Sequence, residues 1–136
     1  MKTSACPCNP HNKFGDCCEP LIKGKIAAVS PEALMRSRYS AYAMKNMDYI
    51  FSSTDPQTRN DIDPKATQEW MDSAKFTRLE IIGSSQEANK GRVEFKAYYS
   101  IGKDPEQTHQ EISKFRRHQG AWFFREGKLI PEPDRP

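Results

Sequence analysis

The chain has 136 residues and a formal net charge of +3, and its mean hydropathy is −0.85. That length suits one domain with its own core and excludes two large ones. No run approaches the roughly 18 apolar residues of a membrane span, and so small a positive charge gives no bulk electrostatic support for nucleic-acid binding.

Residues 1–25 are rich in Cys, Pro, Asn and Gly and show no apolar periodicity, so they read as a loop held by something other than a core. Met1 to Ala5 carry no apolar stretch of the secretory kind, which predicts a cytoplasmic protein whose cysteines bind metal rather than form disulfides. Ser30 is a capping residue, Pro31 suits the first helical position, and Glu32 places an anion in the first turn. A helix is predicted from Pro31 to about Ser52. Met35, Tyr39, Tyr42, Ala43, Tyr49 and Ile50 share one face, with Asn46 in their midst, while Arg36, Lys45 and Asp48 lie away from it.

Asp55-Pro56 and Asp63-Pro64 bracket a polar connection, and Ala66 to about Ala74 reads as a short helix anchored by Trp70. The period then changes to alternation. Phe76, Arg78, Glu80 and Ile82 alternate with Thr77, Leu79, Ile81 and Gly83. Beyond a turn at Asn89-Lys90-Gly91, Val93, Phe95, Ala97, Tyr99 and Ile101 share a cleaner apolar face. A turn at Gly102-Lys103-Asp104-Pro105 leads to a third strand, Gln107 to His118, and Gln119-Gly120 leads to a fourth, Ala121 to Leu129. The tail from Ile130 to Pro136 reads as an irregular end. This order predicts an α+β domain in which a long helix crosses a curved antiparallel sheet.

Cys6, Cys8, Cys17 and Cys18 form the pattern C-x-C-x8-C-C, and no other cysteine is present. Two short pairs separated by a loop that can turn back supply four soft ligands at the corners of a tetrahedron, the arrangement of a closed, structural zinc site. Asn9-Pro10-His11-Asn12-Lys13-Phe14-Gly15-Asp16 carries the turn formers for the reversal. His11 then falls outside a filled ligand set. Lys2, Lys13, Lys23 and Lys25 stand near enough in sequence to offset the −2 of a four-thiolate zinc centre, and the loaded chain would carry a net +1. Two disulfides fit poorly, because adjacent cysteines bond only with backbone strain. Iron shares the preference for tetrahedral sulfur.

The segment Cys6-Pro7-Cys8…Cys17-Cys18-Glu19-Pro20 resembles the SEC-C motif, the zinc-binding tail of the bacterial protein-export motor ATPase. The helix Glu32-Ala33-Leu34-Met35-Arg36-Ser37-Arg38-Tyr39-Ser40-Ala41-Tyr42 resembles the signature of the bacterial YchJ family. Val93-Glu94-Phe95, His109 to Phe115 and Trp122-Phe123-Phe124 are similar to that family's later strands. The resemblance implies a SEC-C module over residues 1–25 and a nuclear-transport-factor-2-like cone, akin to cystatin, over residues 26–136. It also implies a protein partner for the zinc loop. Where the motif commonly carries Gly-Ser-Gly after its second cysteine, this chain reads Asn9-Pro10-His11-Asn12. The family brings no established activity with it.

A cone of this kind commonly encloses a pocket, in which a small molecule would bind. His109, Glu111, Ser113, Phe115 and Arg117 alternate onto one strand face, so His109 and Glu111 are the candidate acid–base pair, with Tyr39, Tyr42 or Trp70 nearby. The same two residues also suit a hydrogen-bonded rim with no chemistry. Arg36 and Arg38 could hold an anion, or pair with Glu69, Glu80 or Glu94. Lys114, Arg116, Arg117 and His118, with Tyr98 and Phe123, form a basic–aromatic cluster that suits either a nucleic-acid strand or a guarded sheet edge. The closed ligand set and the lack of an evident catalytic constellation favour a binding or adaptor protein. An isomerase, dehydratase or hydrolase using the cone is the alternative.

Overall fold

A computed structural model describes residues 4–130. Of the tail expected from Ile130 onward, Ile130 itself ends the last strand, and the rest lies outside the described residues, as does Lys2. Strands β1 (Ala5–Cys6) and β2 (Asn9–Lys13) form a small hairpin, followed by a single 3-10 turn and the short helix α1 (Glu19–Ile22). Helix α2 (Pro31–Ala43) opens as its sequence requires: the Ser30 hydroxyl accepts the Ala33 amide at 3.1 Å and Pro31 takes the first position.

The predicted single helix to Ser52 is two. Lys45 adopts a left-handed φ of 60°, the Asn46 amide reaches back to the Ala41 carbonyl at 2.8 Å, and the Lys45 amide reaches Tyr42 at 3.2 Å. That pair of bonds closes α2 as a Schellman motif. Asn46 then starts α3 (Met47–Ser52), its side chain accepting the Tyr49 amide at 3.0 Å. Asn46, read as a polar intruder on an apolar face, is a cap. Helix α4 (Pro64–Ser73) begins the same way, with Asp63 accepting from Ala66 at 3.1 Å.

Strands β3 (Ala74–Glu87), β4 (Lys90–Ile101), β5 (Gln107–His118) and β6 (Ala121–Ile130) form one antiparallel sheet in chain order. The β5–β6 turn places Gln119 and Gly120 at φ 52° and 81°, which Gly120 adopts without a side-chain clash. The alternation in β4 holds, with Val93, Phe95 and Ala97 all buried. In β3 it does not. The pairing with β4 shifts between Phe76 and Arg78 and again between Ile81 and Gly83, and these bulges bring Phe76, Leu79 and Ile81 to the core while Ile82 is exposed. A further shift after Lys114 bends β5 against β6.

The sheet curls around α2. Pro31 at the start of that helix sits on Gly91 of β4, in space that a β-carbon would fill. Leu34, Met35 and Tyr39 share one buried cluster with Val93, Phe95, Phe115 and Trp122, and Cys6, Cys8, Phe14 and Cys18 belong to that same cluster. The cysteine loop thus packs directly on the core of the α+β domain.

Candidate metal centre and cavity

The β1–β2 hairpin brings Cys6 and Cys8 to one end of α2, and the 3-10 turn with the start of α1 returns Cys17 and Cys18 to them. The sulfur–sulfur distances are 3.6 Å for Cys6–Cys8, 3.5 Å for Cys8–Cys17, 3.6 Å for Cys8–Cys18 and 3.9 Å for Cys17–Cys18. All four sulfurs lie within 4.8 Å of one another. A tetrahedron with metal–sulfur bonds of about 2.3 Å has edges of about 3.8 Å, so this cluster could hold one metal ion.

Four thiols this close cannot all ionise alone. Hydrogen bonds from Cys18 and Cys8 hold the Cys6 thiol far below its ordinary pKa. Cys18 is pushed far above its own, first because its proton is shared with Cys6 and then through Cys8 and burial. A dication is the natural replacement for those shared protons. Around the sulfurs, the Ser40 hydroxyl lies 3.5 Å from Cys6 and the Asn12 amide donates to Cys17 at 3.7 Å.

His11 is exposed and takes no place in the cluster. Of the expected cations, Lys23 pairs with Glu19 at 3.6 Å, while Lys13 and Lys25 are exposed. The cation that does reach the loop is Arg36. It donates to the Cys8 carbonyl at 3.4 Å and pairs with Glu32 at 3.0 Å rather than with the three acids expected from sequence.

Between α2 and the sheet lies a cavity of about 140 Å³. Tyr39, Tyr42, Trp70, Phe76 and Phe95 line its apolar side, and Trp70 meets Phe76 and Tyr99 edge-on with ring centroids 5.6 and 4.6 Å apart. His109 and Glu111 do face inward together with Ser113. The His109 Nε2–Glu111 Oε1 distance is 3.0 Å, and the Ser113 hydroxyl donates to Glu111 Oε2 at 2.5 Å. Burial alone would raise the Glu111 pKa, but the bonds from His109 and Ser113 and the charge of Arg38 hold it below the usual carboxylate value. Ser113 is the third group of this chain, legible in the i, i+2 spacing of β5.

Arg38 is where sequence reasoning erred most. It is 4% exposed, lies inside the fold and pairs with none of Glu69, Glu80 and Glu94. Its Nη1 donates to the Ile50 carbonyl at 3.1 Å, to Ser53 Oγ at 2.7 Å and to Thr54 Oγ1 at 3.1 Å, and its guanidinium stacks 4.3 Å from the centre of the Phe124 ring.

The basic–aromatic cluster is dispersed. β5 lies inside the sheet, so its cations guard no edge. Arg116 clamps the fully buried Asp55 through two bonds of 2.6 Å, with Arg125 adding a third at 3.2 Å. Arg117 lies 5.1 Å over Trp122 and donates to the Ala88 carbonyl. Tyr98 belongs to the other end of the sheet, stacked by Arg78 at 3.7 Å. Asp55, read from sequence as part of a polar connection, is instead fixed between Phe124 and the two arginines.

Residues 30–127 match the model of the YchJ middle NTF2-like domain. The chain belongs to the YchJ family. Its YchJ relatives include a UPF0225 protein of Geobacter sulfurreducens, 43% identical over 96% of this chain and 83% of its own length. A UPF0225 protein of Streptomyces coelicolor is 32% identical, over 96% and 99% respectively. The solution structure of a SEC-C motif protein from Rhodopseudomonas palustris superposes with a TM-score of 0.87 at 44% identity, covering 93% of this chain and 99% of that one. A calcium/calmodulin-dependent kinase II association domain of Thiobacillus denitrificans, at TM-score 0.64 and 12% identity over 79% of this chain and 99% of its own, shares the NTF2-like fold alone. The YchJ assignment carries the fold expected from the helix signature.

Proposed function

We propose that this chain is a zinc-stabilised binding protein whose cysteine knuckle presents a rigid surface to another protein. The observation that supports it is the sulfur cluster, four of its distances 3.5 to 3.9 Å and all within 4.8 Å, a set that suits one tetrahedral ion and leaves no coordination position for substrate. Zinc suits four thiolates better than the harder divalent ions do. With Cys6, Cys8, Cys17 and Cys18 occupied, the metal serves folding, and the SEC-C motif of similar proteins supports the same element.

The outer side of the knuckle supports the adaptor role. Pro10, His11, Asn12 and Lys13 are exposed on β2, and the connection after α1 exposes Ile26 and Val29, at 57% and 86%. Apolar side chains held out to water beside a fixed loop suit a protein contact. Elemental analysis of reduced protein purified without added metal should find one zinc per chain, and none in Cys8→Ser. Photo-crosslinking residues placed at positions 11 and 29 should capture the same partner in cells. Capture from a control position such as Lys103 instead, or from neither site, would overturn the adaptor reading while leaving the zinc assignment intact.

A further inference from the structure

The cavity under α2 contains an incomplete charge arrangement. Arg38 is buried, yet among the described residues it pairs directly with no acidic group. The three bonds of 2.7 to 3.1 Å all leave from Nη1 and the Tyr42 hydroxyl stands beside the guanidinium, so no carboxylate takes the edge formed by Nε and Nη2. Glu111 makes no hydrogen bond to it and acts on it only through space, its Oε1 meeting His109 and its Oε2 meeting Ser113. A buried guanidinium without a carboxylate partner is costly, and the Nε–Nη2 edge has the geometry that takes a carboxylate in two parallel bonds.

The remaining wall is aromatic. Tyr39, Trp70, Phe76 and Phe95 surround a volume of about 140 Å³, close to the roughly 150 Å³ that accepts one benzene ring in an engineered protein cavity. Trp70, Tyr42 and His109 are only partly buried, so the space is not sealed from solvent. The Arg38 guanidinium lies over the Phe124 ring, 4.3 Å from its centre.

We propose that this cavity binds a small planar carboxylic acid anion of about the size of benzoate, its carboxylate on Arg38 and its ring among Trp70, Phe76 and Phe95. The site includes none of the four cysteines and does not depend on the adaptor reading. Ligand recognition there needs no turnover: His109 and Glu111 complete one another and leave the anion to the arginine.

The test uses the full metal-loaded chain with sodium benzoate as the probe, and benzyl alcohol and benzylamine as neutral and cationic controls of similar size. Binding is read from chemical-shift changes of the Trp70 indole N–H and the His109 ring. Benzoate should saturate with a Kd of about 1 mM or tighter, and both controls should bind at least about tenfold more weakly. Arg38→Gln should lose benzoate selectivity by a similar factor. Because that change could unfold the chain, Ala97→Leu is the second variant: it fills the cavity wall and should abolish binding while Arg38 stays in place. Absence of saturable benzoate binding to wild type, equal binding of benzoate and benzyl alcohol, or undiminished binding to Ala97→Leu would each overturn the proposal.

Discussion

The Glu111 carboxylate on β5 lies across Gly127 on β6, in the volume that a β-carbon at position 127 would occupy. Ser113 is the residue paired opposite Gly127, so Glu111 leans diagonally over the glycine to keep both its own hydrogen bonds. The absence of a side chain at 127 is therefore what lets the His109–Glu111–Ser113 chain close under the sheet.

Gly127→Ala should destabilise the protein by roughly 1–3 kcal/mol through overpacking. In a Glu111→Ala background the same change should be neutral or stabilising, because the three atoms nearest that β-carbon all belong to Glu111 and alanine favours the strand over glycine. Urea denaturation of the four proteins in this cycle measures the coupling. Additive effects would show that the two residues do not compete for the space.

If the four cysteines hold zinc as proposed, removing it should weaken the whole domain, since Cys6, Cys8 and Cys18 share a cluster with Leu34, Met35 and Tyr39. A chelated sample should keep its sheet at room temperature but melt more than about 10 °C lower, as expected when a ligand at about a thousand times its Kd is withdrawn. Circular dichroism during heating, with zinc added back, checks this. An unchanged melting temperature would mean that metal binding contributes nothing to the stability of the core.

Asp55 gives a pH-dependent stability. The two bonds from Arg116, then the Gln57 amide and Arg125, outweigh burial and hold its carboxyl far below the usual range. A depressed carboxylate pKa contributes stability that is fully present above the unfolded value of about 3.9 and is lost as pH falls towards the folded one. Asp55→Asn should cost roughly 1–3 kcal/mol at pH 7 by replacing the buried carboxylate that accepts from Arg116 and Arg125 with a neutral amide. That difference from wild type should hold down to about pH 5 and shrink below about pH 4. Urea midpoints at several pH values report it, and a gap that grew on acidification would contradict the assignment.

The α2–α3 break offers two opposite changes. Lys45 holds a left-handed φ of 60°, so Lys45→Gly should stabilise by about 0.5–1 kcal/mol. Asn46→Ala removes the cap on Tyr49 and should cost about 1 kcal/mol. Thermal melts of both single variants separate them. Equal signs would refute the two-helix geometry.

What the sequence settled by itself is local. Ser30 and Pro31 open a helix, alternation from Val93 to Ile101 and from Gln107 to His118 marks strands with a defined inner face, and C-x-C-x8-C-C brings four sulfurs within reach of one ion. Each of these is a periodicity or spacing that neighbouring residues carry without reference to the rest of the chain. Tertiary structure decided the fate of the charged and polar residues. Arg38 became internal because the α3 segment and Phe124 closed over it, and α2 consequently buries Ser37, Arg38 and Ser40 on a helix whose apolar stripe is weak. Asp55 was claimed by arginines 61 and 70 residues away, and the bulges of β3 reassigned its faces by shifting one residue against β4. Side-chain periods record which way a residue points. They do not record which distant partner stands there, and that partner decides whether a charge is solvated, paired or left open to a ligand.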